Sequence, residues 1–196
     1  TDHRVSDEAM KKACNACDRR APRQSGFTII EIMVTLAIAA VLIGLALPAF
    51  NAFVAQRTLT AQVNDFLVAV QYARSEAGRR GTVVSVLALD ATNAANEWGP
   101  GWCVVVGNPA PAACPNDNTM LRRYPALGAN TLNATGALNA LTTLSFSSRG
   151  LLLPPAAAGG LNLCNPGEDV GRQITLSAIG RVSSHTPIVA VLDCNP

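Results

Sequence analysis

The side chains able to do chemistry are few in this chain and poorly placed for catalysis. Of the two histidines, His3 lies in a polar N-terminal stretch and His185 near the C-terminus, with Ser184 beside it only in sequence. There is no His-x-x-x-His pair, no Gly-x-Ser-x-Gly elbow and no phosphate-binding glycine loop. Cys14 and Cys17 form a single C-x-x-C, with neither a second ligand pair for zinc nor a βαβ setting for redox chemistry. Cys103, Cys114, Cys164 and Cys194 are spaced too widely and irregularly to favour zinc over disulfides. This set predicts no enzyme, no cofactor and no metal. The one acid in an unusual place is Glu31, directly before 19 uncharged residues from Ile32 to Phe50.

A run of that length crosses a hydrocarbon core as a helix at about 1.5 Å per residue. Lys11, Lys12, Arg19, Arg20 and Arg23 precede it, so the positive-inside bias leaves the N-terminus in the cytoplasm and everything after Phe50 outside. An acid at the edge of such a segment costs about 2.5–3.5 kcal/mol unless it reaches water or a partner. Two readings follow for Glu31. It snorkels to the interface of a permanent anchor, or it receives the new α-amino group of a second copy after a cut between Gly26 and Phe27. A secretory signal cut near Ala46 to Ala49 is a competing account of the whole N-terminus, since small residues there suit a peptidase.

The stretch Gly26-Phe27-Thr28-Ile29-Ile30-Glu31-Ile32-Met33-Val34-Thr35-Leu36-Ala37-Ile38 resembles the prepilin cleavage and methylation motif of type IV pilins and type II secretion pseudopilins. Matching features are the Gly before the cut, the Phe after it, the Glu fifth in the mature chain and Pro48 near the end of the apolar run. The resemblance argues against the secretory signal. It implies removal of residues 1–26 by a prepilin peptidase, N-methylation of Phe27, and assembly through Glu31 and Pro48.

The leader holds six Lys and Arg against four acids, which leaves nine Arg, no Lys and nine acids from Phe27 onward. A formally neutral mature chain speaks against a large nucleic-acid footprint, because such binding is mostly phosphate neutralisation. With 196 residues, 49% of them hydrophobic and 14% charged, one anchored globular domain is expected. After Pro48, which should bend the helix, Phe53, Val63, Phe66, Leu67, Val70, Ala73 and Ala77 recur at helical spacing, and Gly78 and Gly81 supply the stop. Residues 27–50 would be the membrane half and 51–80 the amphipathic half of one helix, roughly 75–80 Å long if continuous.

From Thr82 the period changes. Strands are expected at Thr82–Leu89, Gly101–Gly107, Thr119–Tyr124, Leu141–Ser147, Leu161–Cys164, Gln173–Ile179 and Ile188–Cys194. Exposed loops are expected at Asn93–Pro100, Pro109–Asn118, Ala126–Ala140 and Pro154–Gly160. The fold class is therefore α+β, with a long N-terminal helix packed on an antiparallel β domain at 81–196.

Gln71-Tyr72-Ala73-Arg74-Ser75-Glu76-Ala77 with Arg79-Arg80-Gly81 is similar to the helix end of the GspH/FimT family of minor pilins. Gly101–Val106, Leu144–Gly150 and Ile174–Val182 resemble its strand motifs. The resemblance implies a pilin-like fold and a structural subunit of a type II secretion pseudopilus or type IV pilus. Its partners would be other pilins or pseudopilins and the inner-membrane assembly platform. The chain would sit in the inner membrane as a single pass, with its C-terminal domain periplasmic, before joining the filament. In that compartment disulfides persist, and Cys103 with Cys114 and Cys164 with Cys194 is the expected pairing among the three that four cysteines allow. The alternative is a DNA-binding FimT-like minor pilin with Arg172 and Arg181 as contacts, although Ser183 stands where a second Arg would strengthen it. A periplasmic enzyme on a simple anchor is the third reading, and it lacks a catalytic set.

Overall fold

The computed structural model describes residues 26–89, 96–108, 114–139, 141–153, 159–167 and 170–185. The chain divides into two units, one ending at Ala46 and one beginning at Leu47. Helix α1 runs from Ile29 to Arg80, and Pro48 does not end it.

In the first unit α1 is apolar all round, and its large side chains from Ile29 to Leu45 are exposed. The helix contains a window of 18 residues with mean hydropathy 2.6, long and apolar enough to cross a membrane.

In the second unit α1 becomes one-sided. Ala55, Leu59, Val63, Phe66, Val70, Ala73 and Ala77 are buried at steps of three and four residues, a stripe that faces the core. Two sequence expectations need correction here. Phe53 is exposed, with the Arg57 guanidinium 4.8 Å above its ring, and Leu59 and Ala69 are core residues instead. Gly78 sits inside the helix, which ends only at Gly81, whose φ of 66° is the left-handed turn that typically closes a helix.

Among the described residues nine strands follow: β1 (Val84–Ala88), β2 (Trp102–Val106), β3 (Met120–Tyr124), β4 (Thr131–Gly136), β5 (Thr143–Phe146), β6 (Leu152–Leu153), β7 (Gly159–Asn165), β8 (Val170–Leu176) and β9 (Val182–His185). They form two sheets, ordered β3-β2-β1-β5-β6 and β4-β7-β8-β9, with every pairing antiparallel. One core joins α1 to both sheets. At its centre Phe66 meets Trp98 and Trp102 edge to face, at 5.4 and 5.2 Å between ring centroids. Strand β1 is buried on both faces. Val84, Val86 and Ala88 enter the main core, whereas Leu87 joins Cys103, Val105 and Cys114 in a smaller cluster.

The expected loop at Ala126–Ala140 contains β4. Its Asn, Ala and Gly content disfavours a strand, but Leu132 and Ala134 point into the core and its backbone pairs residue for residue with β7. On its free edge the Leu132 amide donates to Asn96 Oδ1 at 2.8 Å, and the Ala134 amide donates to Glu97 Oε2 at 3.3 Å. The expected exposed loop at Asn93–Pro100 is corrected by the same contacts, because Glu97 and Trp98 are both buried. Strand β8 ends at Leu176 rather than Ile179, which is exposed in a turn leading to the unexpected β9. Likewise β7 starts at Gly159, inside an expected loop, and the short β6 was not foreseen. The expected strand Ile188–Cys194 lies outside the described residues.

Candidate functional site

At the head of α1 the residues expected to do the work are all accessible. Gly26 and Phe27 precede the helix, and Phe27 is 78% exposed. Thr28 acts as the N-cap, its Oγ1 accepting a hydrogen bond from the Glu31 amide at 3.3 Å. Glu31 thus lies in the first turn, where a carboxylate complements the positive end of the helix dipole. An exposed ring, an exposed acid and an apolar helix suit lateral packing in lipid or against like helices.

The cysteines lie in the second unit. Cys103 in β2 and Cys114 are disulfide-bonded, with Cα atoms 6.0 Å apart. Cys164, buried in β7, is also disulfide-bonded, and Cys194, its expected partner, lies outside the described residues. Among the described residues no group of His, Cys, Asp and Glu could hold a metal ion.

Arg172 and Arg181 are not brought together. Arg172 is half-buried near the start of β8 and already engaged, whereas Arg181 is exposed beyond its other end. At 3.3 Å per residue about 13 Å of strand separates Arg172 from Leu176 alone. Arg181 instead borders an open groove with Gln173, Thr175 and Ser183, floored by Gly159 and Gly160. His185 is exposed at the end of β9, with Nε2 3.4 Å from Ser183 Oγ, and no described acid is bonded to it.

Sequence reasoning missed the cluster at the end of α1. Glu76 is buried and accepts hydrogen bonds from Arg79 Nε at 2.9 Å, Arg79 Nη2 at 2.7 Å and Arg80 Nε at 2.6 Å. These bonds hold its carboxyl at about 2, well below its ordinary 4.5. Also missed was a pair of matching turns. In Ser147–Leu151 and in Ser177–Arg181 the first amide donates to the last carbonyl, the Gly amide donates to the Ser carbonyl, and the Ser Oγ accepts from the last amide. The shared Ser-x-x-Gly spacing was the available signal.

Comparison with known proteins agrees with this geometry. Residues 62–180, more than half of the chain, match the family described as Type II transport protein GspH. Residues 21–47 match the prokaryotic N-terminal methylation motif. Similar solved structures include the Pseudomonas aeruginosa PAO1 type IV minor pilin FimU in two crystal forms. One is 26% identical with a TM-score of 0.51, covering 65% of this chain and 92% of that one. The other is 23% identical with a TM-score of 0.54, covering 70% and 94%. No curated protein matched the chain. A pilin-type N-terminal motif, a long helix packed on antiparallel sheets and a family match over most of the second unit together make this chain a member of the Type II transport protein GspH family of minor pilins and pseudopilins.

Proposed function

We propose that the chain is a filament subunit, cut by a prepilin peptidase between Gly26 and Phe27, N-methylated at Phe27 and drawn into a filament by its apolar helix. The observation that carries this reading is the methylation motif at the head of a membrane-length helix that continues into a GspH-type domain. Before assembly the helix spans the inner membrane with the N-terminus cytoplasmic and the β domain periplasmic. Other pilins and the inner-membrane assembly platform are its partners. Glu31 is the docking acid. An α-amino group with an ordinary pKa of about 7.7–8.0 is largely cationic near neutral pH, and away from water the two charges need one another.

The filament is a type IV pilus on this reading, supported by 26% identity over 92% of a type IV minor pilin. The family's description favours a secretion pseudopilus as the second reading. Deleting the gene and scoring surface filaments against secreted proteins separates the two. Mass spectrometry of the membrane form should find N-methyl-Phe27 as the first residue. In the same cells Glu31→Gln should be cut and methylated normally yet fail to enter filaments. A native N-terminus near Asn51 would overturn the reading, and normal incorporation of the Gln variant would remove Glu31 from the docking role.

A further inference from the structure

At one end of the second unit the two matching turns abut. A Cβ on Gly180 would stand 3.1 Å from the Gly150 carbonyl oxygen, and one on Gly150 would stand 2.9 Å from Arg74 Nε. Arg74 of α1 therefore lies across Gly150, and it shares a notch with Ser75, Ser148 and Arg149. Arg181 follows Gly180 directly and closes the second turn, so Arg149 and Arg181 belong to the two abutting turns and Arg74 lies against the first, while the Arg181 side chain borders the adjoining groove with Gln173, Thr175 and Ser183.

The three arginines are exposed, and none has a carboxylate partner among the described residues. The neighbouring acid, Glu76, is buried and already paired with Arg79 and Arg80. The same two turns carry exposed aliphatic side chains, Ile179 at 60% and Leu151 at 43%, and Leu153 of β6 is 38% exposed. Exposed guanidinium groups without a carboxylate partner among the described residues, on the same turns as exposed aliphatic side chains, are the composition of a protein-binding patch, where Arg is enriched.

We propose that this end of the domain docks a carboxylate-bearing, partly apolar face of another protein, with Arg74, Arg149 and Arg181 as anchors. Guanidinium groups pair with carboxylates through two parallel hydrogen bonds, and the aliphatic rim excludes the water that would weaken them. A nucleic acid fits less well. Its backbone rewards many spaced cations, whereas here nine Arg face nine acids over the mature chain and the turns that carry Arg149 and Arg181 also expose Leu151 and Ile179. The proposal holds whichever machine the filament serves.

The test uses the full chain in detergent micelles, with fluorescently labelled hexaglutamate and a labelled 12-base-pair duplex as probes. Hexaglutamate should bind saturably and more tightly than the duplex. Arg74→Gln, Arg149→Gln and Arg181→Gln should each weaken it on the order of tenfold, with unchanged melting temperature. Arg57→Gln, whose guanidinium lies over Phe53, should not. Hexaglutamate binding that is absent or indifferent to the three substitutions would overturn the proposal. Tighter binding of the duplex would do so too, reassigning the patch to phosphodiesters.

Discussion

Single residues in the second unit are constrained by charge and by backbone geometry. Glu76 has a folded pKa of about 2 against an ordinary 4.5. Because the folded value is depressed, its contribution to stability is complete above about pH 4.5 and is lost as pH falls towards 2. Thermal melts between pH 6 and pH 2 should therefore show a steeper acid loss for the wild type than for Glu76→Gln, which no longer titrates there. Equal slopes would mean that the arginine contacts are not maintained in solution. Gly180, with φ of 75°, is fixed by conformation and by space together, since an added Cβ would stand 3.1 Å from both Gly150 O and Phe146 Cε1. Gly180→Ala should cost about 1–3 kcal/mol, measurable as a lowered denaturant midpoint. An unchanged midpoint would show that the turn relaxes freely.

At the scale of elements, α1 changes character along its length because its sequence does. The first part is apolar on every side, so no face prefers a protein core. The second part restricts its apolar residues to one stripe, and that stripe organises the domain. Phe66 is its central side chain, 1% exposed and in contact with the rings of both tryptophans. Phe66→Ala should destabilise the domain by about 3–5 kcal/mol through lost burial and the cavity left behind. Phe53→Ala, at an exposed position on the same helix, should have little effect on domain stability. Parallel denaturation curves check this, and equal losses would misplace the core. The sheet edges are also protected by side chains: β3 presents exposed Arg122 and Arg123, and the 96–98 turn covers β4.

For the whole molecule the disulfides act at long range in the chain: one ties β2 to Cys114, and another engages Cys164 of β7. Cys103 and Cys114 are linked across a sequence separation of 11, and such a link typically adds about 2–4 kcal/mol by constraining the unfolded chain. Non-reducing peptide mapping of the mature protein should recover Cys103–Cys114 as one linked pair. It should recover Cys164–Cys194 as the other, the pairing we propose for the C-terminal segment. Cys164 linked to Cys14 or Cys17 would instead mean that the leader is retained, contrary to the proposed cleavage.

The sequence by itself determined what depends on local pattern. The head of the apolar run with Glu31, the helical stripe through Val63, Phe66, Val70, Ala73 and Ala77, and the β-branched strands β1 and β2 were all legible, because periodicity and composition act over a few residues; the Cys103–Cys114 link was one of three pairings that the sequence allowed, and the fold selected it. Only the tertiary structure decided β4, where Asn133 and Gly136 are poor strand residues made to pair by β7 on one side and by Asn96 and Glu97 on the other. It alone placed Trp98 in the core, against Phe66 and with Nε1 donating to the Leu141 carbonyl at 3.1 Å, from a stretch whose composition reads as an exposed loop. It alone separated Arg172 from Arg181, brought Arg74 against Arg149 at the Gly150 turn and set the Gly180 turn beside them. Those outcomes depend on which distant segments meet, and sheet register and turn packing fix that only when the whole chain has folded.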